Sequence, residues 1–472
     1  MIKNSLIFAF FSFLINSINF ILIPIYTNNL TVREYGTMAS ITIFITAFTT
    51  VFTFGLNGAI SKMFFDLSNK KEEDDFISTS FVTKFIISTI ILLLFLLNNG
   101  LFLNNVFKNI KFDPFLKYSI LISYFNIFSV VPLSLLLVKG NALKYRILTS
   151  TYFALNTILT LLNLLILRTG LIGIFKAQLY ANLLMAIYYI FSIYYKRQFN
   201  FNKNFSYTLI IFGFPIMLYN LSGMIIEQSS KILIERLLSL KELGIYNLAF
   251  QFSSIIVLIN NAINMAWVPI YFRESKENEN SKLFQLFSKY LFILLSFIAL
   301  LIAVFQKYFI IFILSKNYEN AETYIPILVY VFVLTNTYWV LLINPIFQSK
   351  QIKYLPLLAV ISGGLSIFLC YLLIPKFGLL GAIISVFVGN LLMNFMTYLI
   401  IKNKMTLRYD NKKLISIILI SFVHFLITTL IHNNNLLIEV ILKIVVVSFF
   451  VFIMISTKLF NFKEVKLLNF NK

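Results

Sequence analysis

The stretch Asn182-Leu183-Leu184-Met185 recurs 208 residues later as Asn390-Leu391-Leu392-Met393. At the same offset, Gly170-Leu171-Ile172-Gly173 returns as Gly378-Leu379-Leu380-Gly381. A third match at this offset pairs three residues near the start of the chain with three near its middle: Leu30, Glu34 and Gly36 with Leu238, Glu242 and Gly244. The chain therefore contains an internal duplication, and long repeats in a membrane protein are typical of transporters.

The composition is that of a protein that crosses a membrane many times. The 472 residues are 59% hydrophobic and only 12% charged, and the mean hydropathy is +0.88. A soluble domain carries about 25% charged residues, and a spanning helix needs about 20 apolar ones. Segments free of Asp, Glu, Lys and Arg predict fourteen spans: 4–32, 35–61, 85–107, 118–138, 147–167, 177–195, 204–226, 243–272, 290–306, 323–349, 354–375, 377–401, 414–438 and 444–457.

The net charge of +21 is explained by membrane topology. If the N-terminus is cytoplasmic and the spans alternate, the basic clusters fall on cytoplasmic segments: Lys62/Lys70/Lys71, Lys139/Lys144/Arg146, Lys196/Arg197/Lys203 and Lys402 to Lys413. This positive-inside bias places both termini in the cytoplasm. The basic excess also favours anionic membrane lipids as partners, so nucleic acid is not an expected partner.

The repeat predicts the domain organisation. Residues 1–200 and 205–405 each hold six spans, and an even number of spans preserves orientation. We therefore expect two six-helix bundles related by a pseudo-two-fold axis along the membrane normal. An extra helix pair follows at 410–460, and a cytoplasmic tail at 461–472.

Polar side chains recur at helical spacing in the first two spans of each half. Because unpaired polar groups are costly in lipid, these stripes should face protein or water. One arrangement, a water-filled cavity shared by the four spans, satisfies all of them. The alternative is hydrogen bonding between packed helices. The stripes contain Asn16 in span 1, Thr42, Thr46, Thr49, Thr53 and Asn57 in span 2, Asn220 in span 7, and Gln251 and Asn261 in span 8.

Span 7 and its continuation also carry a charged pair, Glu227 and Lys231, four residues apart. Charges within a membrane usually mark a pathway, although a salt bridge at the membrane interface is the alternative. Pro24 and Pro215 each remove a backbone hydrogen bond from a span, which predicts either gating hinges or static kinks. Lys443 is interpreted as a lysine that snorkels to the membrane surface.

Enzyme chemistry is not indicated. The chain lacks the GxxxxGK[ST] phosphate loop, the HExxH metal motif and paired catalytic carboxylates. Its one cysteine, Cys370, excludes a disulfide framework. The acidic run 72–75 is interpreted as a solvated loop, and His424 as a buried, hydrogen-bonded residue. We therefore expect no catalytic residue, no metal site and no cofactor.

Three short motifs resemble those of a known family. They are Pro24-Ile25-Tyr26 with the following 30–36 segment, its echo at 238–246, and Ile374-Pro375-Lys376-Phe377-Gly378-Leu379-Leu380-Gly381-Ala382. With fourteen spans and the half-chain repeat, the chain resembles the Wzx-type polysaccharide repeat-unit flippases of the multidrug/oligosaccharidyl-lipid/polysaccharide exporter (MOP) superfamily.

The resemblance implies a flippase of the bacterial cytoplasmic membrane, acting in the assembly of a surface polysaccharide such as O-antigen lipopolysaccharide or capsule. Its substrate would be an oligosaccharide unit linked to undecaprenyl pyrophosphate. A coupling ion (proton or sodium) and a polysaccharide polymerase are partners consistent with it. Lys62, Lys231 and Arg273 are the expected anion contacts, and Asn16, Asn57 and Gln251 the expected sugar contacts.

Other readings remain open. A multidrug exporter of the same superfamily would favour intramembrane acids, and Glu227 is the one candidate. A flippase for the peptidoglycan lipid precursor should need a strongly cationic cavity. A polysaccharide polymerase or glycosyltransferase would need large external loops, whereas those predicted here are short. A scaffold that has lost transport is also compatible with the duplication.

Overall fold

A computed structural model describes residues 2–97, 110, 112–194, 200–277, 282–402, 409–431, 435–461 and 464. Within them the chain is helical and contains no strand. The α-helices of the first half are α1 Ile2–Asn29, α2 Val32–Thr53, α3 Leu56–Met63, α4 Lys70–Leu97, α5 Lys117–Asn126, α6 Val130–Val138, α7 Ala142–Leu161 and α8 Gly170–Tyr194. Those that follow are α9 Lys203–Leu237, α10 Leu240–Glu277, α11 Lys282–Ile313, α12 Tyr324–Gln348, α13 Leu355–Phe377, α14 Leu379–Ile401, α15 Asn411–Thr429 and α16 Leu436–Ser456.

The all-α membrane architecture predicted from composition is confirmed. Among the described residues, 13 stretches are long and apolar enough to cross a membrane. They correspond to predicted spans 2 to 14. The first predicted span, 4–32, corresponds to α1; the side chains of residues 2–14 and of Asn16 lie outside the described part.

Two predicted spans are built from two helices each. Span 2 is interrupted at Phe54 and Gly55, whose φ angles are 50° and 65°. This left-handed conformation suits glycine but is disfavoured for phenylalanine, and it ends the hydrogen-bond ladder of α2. Span 4 consists of α5 and α6, joined through a short 3-10 turn at Ile127–Ser129.

The helices pack into two compact units, 1–244 and 245–472. The first is packed around large buried side chains that include Tyr35, Phe52 and Phe76. In this unit α9 packs against α2, α3 and α4. The repeat-based boundaries at 1–200 and 205–405 remain a prediction, since they describe a duplication of sequence and not a division by contacts.

The second unit holds the C-terminal helix pair. α15 packs on α11 and α12, and α16 packs on α11 and α15. Tyr271, Phe292 and Phe450 are among its largest fully buried side chains. The two helices that have no counterpart in the repeat are therefore part of the core of this unit.

The duplicated motifs adopt the same local conformation. Thr31 Oγ1 accepts from the Glu34 backbone N–H at 3.2 Å, and at the repeat position Ser239 Oγ accepts from the Glu242 N–H at 3.1 Å. Both are N-caps, in which a hydroxyl satisfies an otherwise unpaired N–H of the first turn. The repeated Thr/Ser-x-x-Glu pattern thus marks the starts of α2 and α10.

Candidate functional site

The threonine stripe of α2 is satisfied by its own helix. The hydroxyl of Thr42 donates to the Met38 carbonyl at 2.8 Å, and that of Thr46 donates to the Thr42 carbonyl at 2.9 Å. Both side chains are exposed. Bonds to the carbonyl four residues earlier leave the hydroxyl oxygens as acceptors on the helix surface. Among the residues that the structure describes, neither hydroxyl donates to a neighbouring helix.

The break after α2 is held by close contact with α9. A β-carbon on Gly55 would overlap the carbonyl oxygen of Gly213 and lie 2.7 Å from the backbone nitrogen of Met217. A β-carbon on Gly213 would in turn lie 2.5 Å from the carbonyl oxygen of Phe54. Glycine at both positions lets the two backbones touch. The contact lies two residues from Pro215, one of the predicted hinges.

A buried lysine and a buried serine of α4 each bond one backbone carbonyl at the end of α2. Lys84 of α4 is 2% exposed, and its Nζ donates to the Thr53 carbonyl at 3.3 Å. The Ser88 hydroxyl donates to the Phe52 carbonyl at 2.9 Å. The last carbonyls of a helix lack partners within the helix and carry partial negative charge. The side-chain amino group of Lys84 and the hydroxyl of Ser88 therefore cap the C-terminus of α2 inside the protein.

Sequence analysis did not identify Lys84 as a residue of interest. It directly precedes the predicted span 85–107, and a lysine at the end of a span is normally interpreted as a residue that flanks the membrane. The acidic run 72–75, interpreted as a solvated loop, is in fact helical and lies in the first turns of α4. Recognising that the helix begins at Lys70 would have placed Lys84 more than three turns inside it.

Lys62 lies on α3, beyond the break. Its Nζ is 4.0 Å from the centroid of the Phe212 ring on α9, which is cation–π geometry. Asn57, one and a half turns earlier, is exposed, as is Lys62 itself. The structure thus presents a predicted anion contact and a predicted sugar contact on the surface of one short helix.

The next predicted residues lie on α9, between Phe212 and the C-terminal end of that helix. Asn220 and Glu227 are exposed, whereas Lys231 is half-buried. Glu227 and Lys231 lie four residues apart on α9, one turn of the helix from each other. Pro215 is exposed and lies within α9, and Pro24 is half-buried within α1, so both helices continue past their prolines.

The remaining predicted residues lie on α10 in the second unit. Gln251 is half-buried and Asn261 is exposed. Arg273 is exposed, and its guanidinium lies 3.3 Å from the carboxylate of its neighbour Glu274. An exposed pair of this kind contributes little to stability, but it partly neutralises the charge with which Arg273 would meet an anion.

Lys443 does not snorkel. It is 6% exposed, and its Nζ donates to Glu439 Oε1 at 2.6 Å. The Tyr308 hydroxyl donates to the same carboxylate oxygen at 2.8 Å. Glu439 lies one turn before Lys443 on α16. Lys443 therefore pairs with a residue of its own helix, and its side chain does not extend to the membrane surface.

Comparison with solved structures shows which fold this is. The chain is similar to the lipid II flippase MurJ in an inward closed conformation, with a TM-score of 0.73, 14% identity and coverage of 98% of this chain and 100% of that one. It is also similar to an inward-facing multidrug resistance MATE transporter of the MOP superfamily, with a TM-score of 0.62, 14% identity and coverage of 83% and 94%. At these identities the comparison shows the fold.

Sequence comparison shows the family. A relative from Haemophilus influenzae described as an uncharacterized membrane protein is 24% identical over 401 residues, covering 81% of this chain and 94% of that protein. Residues 1–275 match the family model described as polysaccharide biosynthesis protein. The resemblance found in the short motifs is confirmed: the chain belongs to the polysaccharide biosynthesis protein family and has the fold of the MOP superfamily transporters.

Proposed function

We propose that this protein is a flippase that moves an oligosaccharide unit linked to undecaprenyl pyrophosphate across the bacterial cytoplasmic membrane by alternating access. The observation that carries the proposal is the match of residues 1–275 to the polysaccharide biosynthesis family in a chain with a lipid-flippase and transporter fold. The family supports a role in polysaccharide assembly, and the fold supports transport of a membrane-bound substrate.

The chemistry of the first unit supports an anionic headgroup. Lys62 is exposed on α3, and the face of Phe212 lies against its ammonium group. A ring that holds the ammonium in place without neutralising its charge leaves it able to bind an oxygen of a pyrophosphate. Lys231 on α9 is the second proposed anion contact. Arg273 is a weaker candidate because of its pairing with Glu274.

The proposed cargo also implies an energy source. A pyrophosphate is negatively charged, and moving one negative charge out of a negative interior gains about 2.3 kcal/mol per 100 mV. The membrane potential therefore favours export. Proton or sodium coupling through the exposed Glu227 is a second proposed contribution, and a polysaccharide polymerase is the proposed next protein to receive the cargo.

The test is a strain that lacks the gene, with lipid-linked oligosaccharides and surface polysaccharide measured together. We expect undecaprenyl-linked units to accumulate and surface polymer to disappear, with both restored by the wild-type gene. Unchanged polymer with increased sensitivity to cationic drugs would replace the proposal by a multidrug exporter, for which Glu227 is the supporting residue. Accumulation of peptidoglycan precursor with cell lysis would replace it by a peptidoglycan-precursor flippase.

A further inference from the structure

The repeated asparagine of the Asn-Leu-Leu-Met motif has different surroundings in the two halves. In the first unit Asn182 is 3% exposed and fully bonded. Its Nδ2 donates to the Tyr152 hydroxyl at 3.0 Å and to the Gln178 carbonyl at 2.8 Å. Its Oδ1 accepts from Asn126 Nδ2 at 3.3 Å. A fully satisfied buried amide of this kind is a structural element.

The second half keeps the asparagine but not its side-chain partners. At the repeat offset, Asn126 and Tyr152 correspond to Leu334 and Val360, which have no polar side-chain atoms. Asn390 is exposed, and its side chain makes no hydrogen bond within the part of the chain that the structure describes. An amide that has lost its partners, midway along the membrane-spanning helix α14, is available to a ligand.

Asn390 opens onto a cavity of about 200 Å³ between α12 and α14. The wall carries three amides, one hydroxyl, one thioether and one indole: Asn336, Asn390, Asn394, Thr335, Met393 and Trp339. The indole N–H of Trp339, like the amide of Asn390, has no hydrogen-bond partner among the described residues. The wall therefore offers unpaired donors and acceptors beside an aromatic ring.

The cavity wall is held in place by amides from neighbouring helices. Asn394 Nδ2 donates to the Thr335 carbonyl at 2.8 Å, and Asn260 Nδ2 of α10 donates to the Asn336 carbonyl at 2.8 Å. These bonds fix α12 against α14 and α10, and within α12 the Asn336 Nδ2 donates to the Thr335 hydroxyl at 3.4 Å. A site whose supporting bonds are already made loses little freedom when it binds a ligand.

The wall contains no ionisable group, so a charged ligand would lose its hydration without gaining a counter-charge. A sugar ring fits this chemistry, because its hydroxyls both donate and accept, and its C–H faces pack on aromatic rings. The volume accommodates one ring and not a chain of them. We propose that this cavity is a binding subsite for a single uncharged sugar ring. The proposal rests on the proposed function, in which the cargo carries sugars.

The chain contains only two tryptophans, which makes the test direct. Trp267 is buried and stacked on Phe287 with 3.7 Å between the ring centroids, so Trp267→Phe leaves Trp339 as the sole tryptophan, which can be excited selectively over the tyrosines. The purified full chain in nanodiscs is titrated with glucose, N-acetylglucosamine, glucuronic acid and tetraphenylphosphonium. We expect a saturable change in Trp339 emission with a neutral sugar and none with the organic cation.

The control variants exploit the repeat. Asn390→Leu should abolish the sugar response, whereas Asn182→Leu, the same change at the equivalent buried position, should keep it while lowering thermal stability. If Trp267→Phe fails to fold, the wild-type response is compared with that of Trp339→Phe, which should lose it. The inference is overturned if no neutral sugar changes the emission, or if the response survives Asn390→Leu.

The two proposals fail separately. If the gene deletion stops polysaccharide export but no sugar alters Trp339 emission, the flippase proposal stands and the subsite is wrong. If neutral sugars bind but the deletion leaves polysaccharide unchanged, the subsite stands and the cargo assigned to the protein is wrong.

Discussion

Gly36 and Gly244 meet in a reciprocal contact. A β-carbon on Gly36 would overlap the carbonyl oxygen of Leu240 and lie 2.8 Å from the backbone nitrogen of Gly244. A β-carbon on Gly244 would overlap the carbonyl oxygen of Val32 and lie 3.1 Å from the backbone nitrogen of Gly36. Val32 and Leu240 are themselves one repeat apart, so exchanging the two copies maps the contact onto itself. The first turns of α2 and α10 are related by a local two-fold axis.

This contact predicts that Gly36→Ala and Gly244→Ala each destabilise the protein, by about 1–3 kcal/mol, the usual cost of overpacking. Because both changes strain the same contact, the double variant should lose less than the sum of the two. Gly364→Ala, at a position with no atom within 4 Å of the added carbon, should be neutral or slightly stabilising. The stabilities of the three single variants and the double variant are compared by their thermal unfolding midpoints in detergent. Full additivity would mean that the two glycines do not share one contact.

Lys84→Met removes the amino group that caps α2 and leaves the Thr53 carbonyl unpaired. Such a loss costs about 1–3 kcal/mol, and thermal unfolding should show it. Lys84→Arg should be intermediate, because it keeps a hydrogen-bond donor and changes its reach. Lys70→Met, an exposed lysine in the first turn of the same helix, is the matched control and should change little. A Lys84→Met protein as stable as the wild type would contradict the capping role.

Lys62 should be needed for export and not for folding. We expect Lys62→Gln to reduce surface polysaccharide severalfold and Lys62→Arg to retain most of it, with little change in the unfolding midpoint, since an exposed cation–π pair is worth about 0.5–1 kcal/mol. Lys353, whose Nζ lies 5.2 Å from the Tyr354 ring centroid, provides a matched pair on the second unit. If Lys353→Gln impairs export as much as Lys62→Gln, then Lys62 has no special role in binding cargo.

The buried pair Glu439–Lys443 should be strongly coupled. Breaking such a pair from one side costs about 3–5 kcal/mol, because it leaves a buried charge without its partner. Glu439→Leu and Lys443→Met should each lower the unfolding midpoint, and the double variant Glu439→Leu/Lys443→Met should recover much of the loss. A double-mutant cycle measures the coupling, and a coupling energy near zero would argue against the pair.

The contact of Glu464 with α11 should weaken in acid. Glu464 pairs with Lys289, and its carboxylate accepts from the Tyr290 hydroxyl at 3.1 Å. The hydrogen bond from Lys289 lowers the pKa of Glu464. A carboxyl whose folded-state pKa is depressed stabilises the fold above its unfolded pKa, about 4.3, and loses that contribution as pH falls through the folded value. Limited proteolysis of the tail between pH 7 and pH 3 tests this. Glu464→Gln should remove the pH dependence.

The sequence predicted the fold well because long apolar segments have few alternatives in a membrane. It did not predict the break at Phe54 and Gly55, since both residues are ordinary inside a span and neither is a proline. Pro24 and Pro215, predicted to be either hinges or static kinks, lie inside α1 and α9, and the choice between the two stays a prediction. The left-handed turn at Phe54 and Gly55 depends on a neighbour, Gly213, which sequence spacing cannot reveal.

The candidate site was predicted in part. The polar and charged residues of α3 and α9 could be found, because helical spacing and the cost of burying polar groups are readable from sequence. The interaction partners of these side chains could not be predicted. That Lys62 lies against Phe212, that Arg273 is paired with Glu274, and that Asn390 has lost the partners of Asn182 all depend on which helices pack together.

The break in span 2 has no counterpart in the second half. The positions one repeat after Phe54 and Gly55 are Ala262 and Ile263, and both lie inside the uninterrupted helix α10. α10 continues through these positions and lacks only the ladder bond that Pro269 cannot donate, whereas in span 2 the helix stops at the end of α2 and restarts at α3. Of the two repeat-related segments, the first is therefore built from two helices that meet at a left-handed turn, and the second from one continuous helix.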